Sequence, residues 1–379
     1  MKKQYFLMAM AATMFAACSQ TEMIDEVVEN STPKAIGFTT FADGQTRAEN
    51  SSVAYSWNLE DHHTSFSVWG YKYVGTTYTS VFSGQLVESN AGVWTYSPIR
   101  YWDKAATNYG FYAAAPTGFW TINYDPTEDL STGYFTTTSA YTLQGDNINA
   151  GELGATLVES FNTFTNDKDL MIADASTIGL TTQTNPVNFN FIHILSRLNV
   201  TIKADASLID IDNDDTPDNT VTINSVTVNN LISTGSFDEN KVAAGEKINR
   251  WTTTDATVDY NYTGSNTVKT TALYAIQSLV MPQDADYKEI KLDGTDAETS
   301  AAPYITINYT ITPTGGGAGE TFVATYNLAK AFGITSGNKL SFFEGYQNTL
   351  NITIKPTAIT FDANVAVWDV NLNKDLTIE

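Results

Sequence analysis

The sequence predicts an all-β protein: two β-sandwich domains behind an export leader and a polar tether. Two observations predict it. From Ser51 onward the chain is dominated by Thr, Tyr, Val, Ile, Phe and Asn with frequent Gly, which suits pleated, half-buried strands and disfavours helices. Apolar and polar residues also alternate with a period of two in run after run. With 42% hydrophobic and only 16% charged residues, the chain can bury a core, and the length downstream of residue 47 is enough for two ordinary domains.

Residues 1–17 open with Lys2-Lys3 and continue from Tyr5 through an apolar run too short to span a bilayer, as in a signal peptide. Cys18 is the single cysteine and follows Phe15-Ala16-Ala17. Small residues before a cysteine at the end of a leader resemble a bacterial lipobox, with Phe15 where Leu is usual. Cys18 is therefore the expected lipidation site, and outer-membrane lipid an expected partner. Residues 18–33 carry Glu22, Asp25, Glu26 and Glu29 with few apolar side chains and read as a tether.

Residues 34–47 form the boundary between tether and body. Ile36 and Phe38 alternate with small or polar residues as a half-buried strand requires, and Asp43-Gly44 supplies a turn before Arg47-Ala48. An Arg-Ala bond just past a turn suits an arginine-specific protease. A cut there would release the strand bearing Ile36 and Phe38 and leave its place open.

The first sandwich is expected over 48–185. Phe66 and Val68 lie on one parity and Trp69, Tyr71 and Tyr73 on the other, so a bulge is expected at Gly70. Aromatics crowd the stretch from Trp94 to Tyr124. They could form a glycan-binding face, but they fall within strand-like runs, which favours core packing. Leu130 to Asp169 has weak periodicity and reads as loops. The second sandwich is expected over 186–379, opening with Phe189 and Phe191, then Leu198, Val200 and Ile202. A short helix is expected at Asn327 to Phe332, stopped by Gly333. At the end, Trp368, Val370, Leu372, Leu376 and Ile378 share one parity with no hairpin turn to fold them back. Segment 368–379 can pair within its own domain, or fill an empty groove in a neighbouring molecule as a donor strand.

The formal net charge of −22 sets nucleic-acid binding aside. His62, His63 and His193 show no catalytic or metal spacing. His62-His63 would point to opposite sides of a strand, and His193 reads as a packed or capping residue. Asp210 to Asp218 opens like a calcium loop, but Asp215 stands where such loops need Gly and Val221 where they need Glu, so a solvated acidic loop is expected. No nucleophile has a recognisable base, so neither enzyme activity nor a cofactor or metal site is predicted.

Six stretches resemble, in order and spacing, the fimbrillin family of the Bacteroidetes. They are the leader ending Phe15-Ala16-Ala17-Cys18, Ile36-Gly37-Phe38 with Thr46-Arg47-Ala48, Arg100-Tyr101-Trp102 with Tyr109 to Tyr112, Phe191 to Leu198, Gly333 to Asn338, and Ile359 to Trp368. The resemblance implies two transthyretin-like β-sandwich domains and a lipoprotein precursor of an adhesive surface pilus. It further implies cleavage after Arg47, loss of the strand bearing Ile36 and Phe38, and polymerisation by donor-strand exchange with other copies or related pilus subunits. The alternative from another class is a surface lipoprotein that never polymerises, as a pilus tip, an anchor or a glycan binder.

Overall fold

A computed structural model describes residues 34–42, 59–75, 77–124, 133–158, 160–179, 186–241, 250–287, 302–356 and 358–368. Among these the regular secondary structure is almost entirely strand, as the composition predicts. The helices are single turns, and the sequence places one of them well. Leu328–Ala331 is capped by the Asn327 side chain, which accepts from Lys330 N, and ends before Gly333 at φ 76°.

The first body is one seven-stranded sheet. In spatial order its strands are Phe38–Ala42, Val187–His193, Met171–Gly179, Asn108–Ala115, Ser65–Val74, Thr77–Asn90 and Val93–Thr95. The sheet curls until its first and last strands approach each other around one core. That core is built from Ile36, Phe38, Phe66, Phe82, Phe111, Phe189 and Phe191. The register breaks on both sides of Gly70, where the change of parity calls for a bulge. A Cβ on Gly70 would lie 2.8 Å from Phe82 Cδ2 and 2.9 Å from Phe111 Cδ1, so the aromatic packing demands glycine there.

Val187–His193 does not open the second body as the sequence reading expects. It pairs in parallel with Phe38–Ala42 and antiparallel with Met171–Gly179, and Phe189 and Phe191 face the first core. The chain passes from one body to the other at Ile194-Leu195. Alternation shows which face of a strand is buried but not which sheet it joins.

The second body is a sandwich of two four-stranded sheets. One contains Leu273–Val280, Ser196–Ala204, Tyr346–Ile354 and Ile359–Val367; the other contains Thr257–Val268, Asn219–Ile232, Tyr304–Pro313 and Glu320–Asn327. Leu198, Val200, Ile202, Leu350 and Ile352 of the first meet Val226, Val228, Tyr260, Ile305 and Ile307 of the second.

A third apolar cluster joins the bodies. Phe135, Tyr141, Phe161 and Phe164, all from the stretch expected to be loops, pack there with Ile194, Leu195, Phe237, Trp251 and Trp368. The loops are anchored by Asp167, whose carboxylate accepts from the backbone N–H groups of Gln144, Gly145 and Asp146.

Candidate functional site

Segment 34–42 is held on both flanks. On one side Phe38–Ala42 runs parallel to Val187–Phe191, and Val187 N donates to Gly37 O at 2.8 Å. On the other, Ile36 N donates to Arg100 O and Trp102 N to Lys34 O, both at 2.9 Å, and Tyr96 Oη donates to Ile36 O at 2.7 Å. The segment therefore lies between Val187–Phe191 on one flank and residues 100–102 on the other.

Its side chains fill the core as well. Ile36, Phe38 and Thr40 are buried and Gly37 and Thr39 only partly so, the alternation of a strand with one face inward. The Phe38 ring stacks on Phe189 at 5.7 Å and meets Phe82, Phe66 and Phe111 edge-on. Truncating such a buried Phe costs about 3–5 kcal/mol. The Thr40 hydroxyl is buried without a hydrogen-bond partner. Cys18, Arg47 and Ala48 lie outside the described residues.

At the other end of the chain, Ile359–Val367 is the outer strand of its sheet and pairs, among the described residues, only with Tyr346–Ile354. Trp368 follows, 1% exposed in the joint, with its backbone N–H donating to Gly345 O at 2.9 Å. The Arg197 guanidinium lies over Phe161 at 4.8 Å and over Trp368 at 5.9 Å. Val370, Leu372, Leu376 and Ile378 lie outside the described residues.

The aromatics between Trp94 and Tyr124 mostly face inward: Trp102, Tyr109, Phe111, Tyr112 and Trp120 are buried, while Tyr101 is 53% exposed. They do not form an exposed aromatic row. The acidic loop closes on itself. Asp210 accepts from Asp214 N and Asp215 N, Asp218 accepts from Ile211 N, and Asn213 and Asp215 take positive φ angles.

The histidines depart from the sequence reading. His62 and His63 lie on the turn after the helical turn Leu59–Asp61, not on a strand, and both N–H groups donate to Leu59 O. His62 and His193 converge on Asp169, and His63 Nε2 lies 2.7 Å from the Asp169 carbonyl oxygen. Burial acts to raise the Asp169 carboxyl, but the facing His193 and His62 outweigh it and hold that group well below the usual carboxylate range. Burial lowers His63 to about 4. No local spacing could reveal this convergence, because the three residues come from separate elements.

Two β bodies joined by an aromatic cluster, the first completed by a strand from before its own fold, make a class of all-β protein with a known counterpart. A crystal structure of a fimbrial protein from Bacteroides vulgatus shares the fold, with a TM-score of 0.52 at 14% identity over 88% of this chain and 99% of that one. A putative cell adhesion protein from Bacteroides uniformis matches at TM-score 0.43 and 17% identity, over 88% of this chain and 98% of its own. The chain belongs to the fimbrillin-like family, whose model matches residues 46–368. The fimbrium subunit Fim1C of Phocaeicola vulgatus is 25% identical over 221 residues, which span 55% of this chain and 53% of that relative.

Proposed function

We propose that this chain is a fimbrium subunit exported as a lipoprotein, and that segment 34–47 holds a groove until assembly. In this reading Cys18 carries the lipid, an arginine-specific protease cuts between Arg47 and Ala48, and the strand bearing Ile36 and Phe38 leaves. Segment 368–379 of another subunit then enters. Trp368 roots that donor in its own molecule, and Val370, Leu372, Leu376 and Ile378 are spaced to fill alternate pockets. The product belongs at the cell surface, as part of an adhesive fimbrium.

The observation that carries the reading is the position of Phe38. Its strand extends the first sheet beside Val187–Phe191 and its ring sits among Phe66, Phe82, Phe111 and Phe189. Removing it would expose a slot lined by aromatic rings and leave backbone groups on both flanks unpaired, including the Trp102 N–H and the Val187 N–H. Such a groove favours addition of a strand.

The test is digestion of the purified chain with an arginine-specific protease, with N-terminal sequencing and electrophoresis of unboiled samples. A new terminus at Ala48 and a ladder of detergent-resistant multimers are expected, and truncation before Trp368 should abolish the ladder. Cleavage without multimers would overturn polymerisation and leave a tip or accessory subunit. Retention of residues 34–47 on the body after cleavage would overturn the exchange.

A further inference from the structure

The assembly reading makes no use of three polar side chains in the joint between the bodies. His62 follows the helical turn Leu59–Asp61, Asp169 stands just before Met171–Gly179, and His193 ends Val187–His193. They are 2%, 2% and 4% exposed. His193 Nδ1 lies 2.8 Å and His62 Nδ1 3.5 Å from the same oxygen, Asp169 Oδ2. One ligand atom from each falls within 4.8 Å of the other two.

Neither ring nitrogen of His62 and neither carboxylate oxygen of Asp169 makes a hydrogen bond of normal geometry, although all four atoms are buried. An unsatisfied buried polar group costs about 1–3 kcal/mol, and more when charged. A ligand that accepts lone pairs from both imidazoles and the carboxylate together would remove that cost.

We propose that His62, Asp169 and His193 form a structural site for a divalent transition metal, zinc being the ion their chemistry fits. Imidazole nitrogen and carboxylate oxygen are ordinary zinc ligands, whereas calcium and magnesium take oxygen ligands. Ligands bound tetrahedrally at the usual zinc distances of about 2.0–2.2 Å stand about 3.4 Å apart, close to the separations found here. The three side chains supply three ligands of a tetrahedral ion, and a water would take the fourth position. His63, against the Asp169 carbonyl, holds the backbone of that ligand. Stacking of Trp368 on His193 and the burial of all three ligands shield the site from bulk water. The ion would tie together the turn after Leu59–Asp61, the end of the loop excursion and the last residue of the first sheet. Asp210, Asp212 and Asp218 also come together, but Asp210 and Asp218 are committed to backbone N–H groups of their own loop and carry no such inference.

The test uses the purified chain without a polyhistidine tag, incubated with zinc chloride and then exhaustively dialysed. Zinc content is read by elemental analysis, and thermal unfolding is followed with and without a strong chelator. Stoichiometric zinc is expected, together with a melting temperature that falls on chelation and returns on adding zinc. His62→Gln and Asp169→Asn should each lose the bound ion and the response to zinc, while Asp212→Asn should keep both. A wild-type chain that retains no zinc and melts at the same temperature with and without it overturns the site. So does zinc binding that survives both His62→Gln and Asp169→Asn. The wild-type measurement decides the matter even if a variant fails to fold.

Discussion

The indole of Trp368 lies flat on the imidazole of His193, with ring centroids 3.8 Å apart and planes 9° from parallel. His193 is the last residue of a strand in the first sheet, and Trp368 directly follows the outer strand of the second body. One stacked pair therefore links the first body to the point where segment 368–379 begins. Phe161 meets the same indole edge-on at 5.6 Å.

Trp368→Ala should destabilise the protein by about 3–5 kcal/mol, the usual cost of truncating a large buried aromatic. Trp368→Phe, which keeps most of the apolar area, should cost clearly less. Urea unfolding of the purified chain checks both, and equal midpoints for the two variants would contradict the packing role.

Phe38→Ala should loosen segment 34–42 in the intact precursor, with a loss of similar size to that for Trp368→Ala. Arginine-specific cleavage should then run faster than in wild type, because the strand opens more often. After cleavage and release the substitution is no longer part of the body, so mature wild-type and variant proteins should unfold alike. A persistent difference between the mature forms would place the effect elsewhere.

Gly70→Ala should destabilise by about 1–3 kcal/mol, the range for overpacking a dense core. The added Cβ has Phe82 on one side and Phe111 on the other, each closer than 3 Å. Gly315→Ala, where a Cβ meets nothing within 4 Å, should be close to neutral in the same melt.

Arg250 and Glu344 form a two-pronged ion pair at 2.8 and 2.7 Å, with the Arg250 side chain 20% and the Glu344 side chain 1% exposed. The two truncations should therefore differ. Arg250→Ala strips a buried carboxylate of its guanidinium and should approach the about 3–5 kcal/mol cost of breaking a buried pair. Glu344→Ala leaves a cation that reaches solvent and rests on Phe237, so it should cost less. Thermal melts of both variants at neutral pH check the order.

Much of this could be read locally. The inward face of Ile36 and Phe38, the bulge at Gly70 and the helix between Asn327 and Gly333 all arise from neighbours in sequence, through strand alternation, the missing Cβ and capping. The stretch from Leu130 to Asp169 could not be read, because Phe135 and Tyr141 sit on strands of four and two residues and Phe161 and Phe164 on loops, all too short to show a period. The histidine turn was missed for a related reason: a helical turn of three residues is too short to carry a pattern.

The all-β class, the inward faces of the strands and the residue types that fill the cores are legible along the chain, because each depends on side-chain character at spacings of a few residues. The pairing of Phe38–Ala42 with Val187–Phe191, the place of Val187–His193 in the first sheet, and the meeting of His62, Asp169, His193 and Trp368 in one buried joint emerge only in three dimensions. Those relationships depend on which distant strands pair and how the two bodies pack, and residues far apart in the chain leave no periodic mark of meeting.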